Sequence, residues 1–202
     1  MAYNLVKFMR PKKIFFALAG LVLIILAYRN FSPVKKVNPQ TAKSAVPYDY
    51  SIKTEYDRPI KILRVIDGDT VEFINGDRLR YIGIDTPEEV DPRKPVQCFA
   101  LEAAAANKAL VEGKMITFHK DVSARDKYGR WLGFVYLEDG TFVNLKLVEE
   151  GFAFAYKYKP DISKSVEFKE AEAKARGAGF GLWSACAIHT ASGGREETNS
   201  LH

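Results

Sequence analysis

The chain has 202 residues, of which 47% are hydrophobic, 27% charged and 12% aromatic, a balance that excludes a disordered or fibrous chain and suits one domain with extensions. The net charge of +5 is unevenly spread: the first 50 residues hold eight Lys/Arg and one Asp, while the remaining 152 hold 22 Lys/Arg and 24 Asp/Glu. The bulk of the chain is therefore not a broadly basic polyanion binder, and any such binding must come from local clusters.

The first segment, residues 1–28, reads as a signal anchor or signal peptide. Lys7, Arg10, Lys12 and Lys13 precede an apolar run over 14–28. As a helix of fifteen residues it would span roughly 22 Å, short of a hydrocarbon core of about 30 Å. The next residues, Arg29, Asn30 and Phe31, offer no small-residue cleavage site, so the reading leans to an uncleaved anchor with the chain beyond it outside the cytoplasm. Cleavage would give a secreted or periplasmic protein instead. Residues 29–57, interrupted by Pro33, Pro39 and Pro47, read as a flexible linker.

A folded domain is expected over 58–187. Residues 61–65 and 70–74 are short β-type runs around an Asp67-Gly68-Asp69 turn, and Asn75-Gly76-Asp77 is a hairpin signal before a third strand at 78–84. Residues 99–112, rich in Ala and Leu, predict a helix. Strands are expected at 115–120 and 131–136, and helices at 143–150 and 163–176. Five strands with a helix inserted between the third and fourth are compatible with an OB-type barrel, with two further helices packed below. Residues 188–202, polar and Gly/Ser-bearing, read as a disordered tail. Cys98 and Cys186, in neither a CxxC nor a zinc spacing, read either as one disulfide closing a long loop or as two buried thiols.

Four clusters could carry chemistry. Asp67 and Asp69 offer hard oxygens for Ca²⁺ or Mg²⁺, although Asp-Gly-Asp is also an everyday turn. Asp85 and Glu88 add carboxylates, and Arg80 adds a planar fork suited to phosphate; a charged loop would look the same. Residues 126–130 offer Lys127, Arg130 and the aromatic face of Tyr128, or a solvated turn. Tyr156, Lys157, Tyr158 and Lys159 alternate, which puts both tyrosines on one side of an extended segment; an edge strand guarded by lysines reads equally well. Taken together these are the parts of a phosphodiester-hydrolysing site. Of the three histidines, His119 sits in a strand pattern and His189 and His202 in the tail, which argues against a histidine-based mechanism.

The order and spacing of these motifs resemble the staphylococcal (micrococcal) nuclease, or thermonuclease, family. The resemblance rests on IDGDTV at 66–71, RYIGIDTPE at 80–88, DKYGR at 126–130, Val143-Asn144, YKYKP at 156–160 and GLWS at 181–184, and covers about residues 60–186. It implies a five-stranded OB-type barrel with three helices and Ca²⁺-dependent hydrolysis of DNA and RNA that leaves 3′-phosphate ends, on strands that are single or locally opened. It also implies Asp69, Asp85 and the Thr86 carbonyl as metal ligands, Glu88 as the group that deprotonates water, and Arg80 and Arg130 as phosphate clamps. Lys127, Tyr128, Tyr156 and Tyr158 would contact nucleotides. Glu89 and Asp91 add acids beside the expected water site, and Cys98 and Cys186 fit an extracytoplasmic form.

The reading is a monomeric enzyme that contacts a membrane through residues 14–28 if they are retained. The alternatives are a catalytically weak or inactive nucleic-acid-binding module and a protein-interaction scaffold. A dead module would be expected to lack some of Asp69, Arg80, Asp85, Glu88 and Arg130, and all five are present. One geometric demand follows. Arg80 and Asp85 are five apart, so strict alternation puts them on opposite faces, and the strand must bend between them, with Gly83 the place for it.

Overall fold

A computed structural model describes residues 58–92 and 95–201. The leader and linker expected over 1–57 lie outside the described residues. No helix among the described residues is long and apolar enough to cross a membrane.

Five strands close a barrel in the order β1-β2-β3-β6-β5: β1 (Ile60–Asp67), β2 (Thr70–Phe73), β3 (Arg78–Tyr81), β5 (Met115–His119) and β6 (Trp131–Leu137). Neighbours are antiparallel except β3 and β6, which run parallel with Arg80 opposite Leu132. Alternation fills the barrel. Ile62, Val71, Phe73, Leu79, Tyr81, Ile116, Phe118 and Val135 are all buried inside, while Lys61, Leu63, Arg78 and His119 beside them are exposed.

Helix α1 (Ala100–Val111) is the inserted one. It buries a stripe of Ala100, Ala103, Asn107 and Val111, small enough at its start to lie close to the barrel wall. Helices α2 (Val143–Glu149) and α3 (Ser165–Ala178) sit beyond it, with Leu147, Val148, Phe168 and Ala171 in the same core. A fourth, one-turn helix α4 (Leu182–Ala185) adds to the three expected. Two short strands, β4 (Ile84–Asp85) and β7 (Phe154–Ala155), pair off the barrel.

The end of the chain departs from the sequence reading. Residues 188–198 are not a disordered tail. They form an antiparallel hairpin of β8 (Ile188–Thr190) and β9 (Glu196–Thr198), and Ser200 bridges to Gln97. Local composition did not predict this because the order comes from distant partners. Cys186 is bonded to Cys98, with Cα atoms 5.9 Å apart. The backbone N–H of Cys98 donates to Asn199 and that of Leu201 to Val96.

Candidate active site

The barrel opens its site where β1 turns into β2 and where β3 breaks. Gly68 packs so tightly on Thr86 that a Cβ there would sit 2.6 Å from the threonine Oγ1. The turn thus brings Asp69 against the start of the loop after β4. The break lies at Ile82 and Gly83, where Gly83 takes φ +79°, a conformation that disfavours any side chain. The buried Asn144 of α2 ties the break to β6. Its Nδ2 donates to the carbonyls of Ile82 (2.9 Å) and Gly133 (3.4 Å), and its Oδ1 accepts from Val135 N–H (2.9 Å).

The break meets the demand set by the five-residue spacing. Arg80 and Asp85 face each other, with Arg80 Nη2 donating to Asp85 Oδ1 at 2.7 Å. The other terminal nitrogen of Arg80 bonds Asp69 Oδ1, so one guanidinium bridges both carboxylates. Asp69 is fully buried and also accepts from Thr86 N–H (3.1 Å) and Thr70 Oγ1 (3.2 Å). Asp67 turns its Oδ1 onto the N–H of Asp69 (3.0 Å) and stiffens the turn.

Acid outweighs base in this cluster. Burial pushes the Asp67 carboxyl far above the ordinary carboxylate range, and the charge of Asp69 adds to the rise. Burial also raises Asp85, against the pull of Arg80. For Arg80, burial works against the charge, but Asp69, Asp85 and Asp67 outweigh it and raise its pKa. Asp69 and Asp85 offer hard oxygens whose crowded charge a divalent cation would relieve. Among the described residues no three His, Cys, Asp or Glu side chains stand together as a cage of their own. A cation held here would take two carboxylates, a carbonyl such as that of Thr86, and ligands from outside the chain.

The remaining expected residues bond to partners outside this centre. The Glu88 Oε1 accepts from the N–H groups of Val90 and Asp91, both at 3.0 Å. Arg130 Nε donates to Asp126 Oδ2 at 2.7 Å. Arg130 ends the turn that leads into β6, two residues before Leu132, the partner of Arg80 in the β3–β6 register. The guanidinium of Arg130 and the ammonium of Lys127 lie 5.5 and 5.0 Å from the centre of the Tyr128 ring, which is 72% exposed. Tyr156 and Tyr158 share one side, with ring centres 6.3 Å apart and planes at 26°.

Several residues of the site escape sequence reasoning. Gln97 receives the N–H of Glu88 on its Oε1 (2.6 Å) and returns its own N–H to the Glu88 carbonyl (2.9 Å), fixing the acid loop at both ends. Asn107 of α1 accepts from the Tyr81 hydroxyl (3.0 Å) and donates to the Asp67 carbonyl (3.3 Å). Asp161 caps the loop at Val122 and Ser123 (2.9 and 2.7 Å). Arg195 of the terminal hairpin reaches Asp85 Oδ2 at 2.5 Å. The amides carry no motif, though a polar residue inside the Ala-rich run 99–112 is a usable signal for Asn107.

Comparison with known proteins agrees with this geometry. The profile of the family described as "Staphylococcal nuclease homologue" matches residues 78–185. The chain is similar to the thermonuclease of Staphylococcus hyicus, 32% identical over 169 residues that cover 82% of this chain and 96% of that protein. It is 36% identical to the thermonuclease of Staphylococcus intermedius over 126 residues, 60% of this chain and 74% of the relative. It is 35% identical to endonuclease YncB of Bacillus subtilis (strain 168) over 161 residues, 77% and 75% of the two chains.

Proposed function

This chain belongs to the staphylococcal nuclease family and is a hydrolytic nuclease, and from that premise we propose that it cleaves phosphodiester bonds of DNA and RNA with Ca²⁺, outside the cytoplasm, as a monomer. The observation that carries the reading is the Arg80 fork, which gathers Asp69 and Asp85 into one buried centre.

When bound to Asp69, Asp85 and the Thr86 carbonyl, Ca²⁺ supplies Lewis-acid neutralisation of the phosphate. Arg80, locked between two carboxylates, meets the phosphate as a fixed cation, and Arg130 meets it from the turn that leads into β6. Both donors to the Glu88 carboxylate fall on Oε1, which leaves Oε2 to align a water and take its proton. The water attacks phosphorus in line, the bond to the 5′ oxygen breaks, and the products carry 3′-phosphate ends. Lys127 and the rings of Tyr128, Tyr156 and Tyr158 hold the flanking nucleotides, which suits single strands or opened duplex. The apolar run over 14–28 and the Cys98–Cys186 bond support an anchored, extracytoplasmic enzyme.

The test is digestion of single-stranded DNA, RNA and plasmid by the full chain. Ca²⁺ is expected to support cleavage and excess chelator to abolish it; equal digestion in both overturns the metal assignment. Glu88→Gln is expected to lower kcat by about 10²–10⁴-fold with little change in binding of a nucleoside 3′,5′-bisphosphate. Weaker binding with unchanged turnover would remove Glu88 from this role.

A further inference from the structure

The hairpin of β8 and β9 is fastened to the domain at every level. Besides the disulfide and the backbone bonds to Val96 and Cys98, Thr198 Oγ1 donates to the Cys98 carbonyl (2.8 Å). Arg176 pairs with Glu196 (2.6 Å), and Gln97 Nε2 donates to Glu197 (3.3 Å). Its turn closes with Ala191 N–H on the Arg195 carbonyl (2.7 Å) and aims Arg195 at the site. The guanidinium of Arg195 reaches Asp85 at 2.5 Å and lies 5.5 Å from the centre of the Tyr156 ring, while the side chain stays 34% exposed. Its Nη2 therefore meets the buried carboxylate and its Nε lies 3.8 Å from Glu197, which leaves Nη1 as the nitrogen free to take a ligand. Beside it lies a cavity of about 290 Å³ walled by Asp85, Tyr156, Lys157, Lys169, Gly193 and Arg195.

We infer that the terminal hairpin is a wall of the substrate groove, and that Arg195 and Lys157 bind the phosphate next to the scissile one in this cavity. The inference rests on the proposed cleavage site. Three observations argue for a phosphate. The cavity has room for one with part of its sugar, and a guanidinium and an exposed ammonium face it. Of the two acids at its edge, Asp85 is already committed to Arg80 and Glu196 to Arg176. Residues 51–202 carry more acid than base, 24 Asp/Glu against 22 Lys/Arg, so grip on a polyanion depends on cations delivered locally. Gly193 and Gly194, both at positive φ, keep the turn bare of side chains at the cavity mouth.

The test compares the full chain with Arg195→Gln, Arg195→Lys and Lys157→Gln. Binding of a single-stranded octanucleotide is followed in chelator across a salt series, and binding of a nucleoside 3′,5′-bisphosphate is followed in Ca²⁺. The expected result is that Arg195→Gln and Lys157→Gln each weaken octanucleotide binding about tenfold and flatten the slope of log K against log salt by about 0.7, the loss of one phosphate contact. Arg195→Lys is expected to keep the slope and lose part of the affinity. Lys157 makes no contact with the aspartates, so its slope reads phosphate binding apart from any effect on Asp85. Unchanged slopes in both glutamine variants overturn the inference. So does tighter binding in Arg195→Gln, which would make Arg195 a plug on Asp85. If the unaltered chain neither binds the bisphosphate nor cleaves, the cleavage site itself is wrong; if it does both and the variants match it, only the hairpin's role falls.

Discussion

The two halves of the site are built on opposite terms. The centre of Asp69, Arg80 and Asp85 is sunk in the barrel wall, with the acids 0% and 3% exposed. The rim is open: Tyr128 and Tyr158 are 72% and 65% exposed, and Lys127 lies on a solvated loop. Charges that must polarise a phosphate gain strength where water is excluded and geometry is fixed in advance. Rings that stack on successive bases need to be reachable and tolerant of sequence. Under the proposed function the centre would set turnover and the rim affinity.

The strongest challenge to that division is Arg80→Lys. It keeps the charge but loses the fork that spans Asp69 and Asp85, and kcat is expected to fall about 10²–10³-fold with KM changed less. A comparable rise in KM at constant kcat would move Arg80 to the binding side. Asn144→Ala probes the frame beneath the centre. It removes the side-chain partner of the Ile82 carbonyl and the Val135 N–H, and the melting temperature is expected to drop roughly 5–10 °C. A loss of activity without that drop would give Asn144 a direct role. The smallest effect is expected at the rim, where Tyr128→Ala should raise KM about fivefold on single strands and leave kcat alone. If kcat falls instead, the rim is part of the chemistry.

The buried centre was the more legible half. Asp69, Arg80 and Asp85 stand in short motifs, and the parity conflict between Arg80 and Asp85 points to the bend at Gly83. The pairing of Tyr156 with Tyr158 followed from alternation. What stayed hidden is held by partners far away in the chain. Gln97 acts through Glu88 and Glu197, Asn107 through Tyr81 and Asp67, and the hairpin through Cys98. A lone amide gives no periodicity to read, and a polar stretch with two glycines looks the same whether or not a disulfide and an ion pair fasten it.

The Asn144 amide has a consequence for time as well as for shape. At the break in β3 it makes bonds that a neighbouring strand would otherwise make, and it accepts the N–H of Val135. Hydrogen exchange at Val135 is therefore a clock for the departure of one side chain, separate from the exchange of the β6 ladder amides at Phe134 or Tyr136 that waits for the barrel to open. Two exchange rates inside one strand would show how often the active-site bend relaxes while the barrel stays closed.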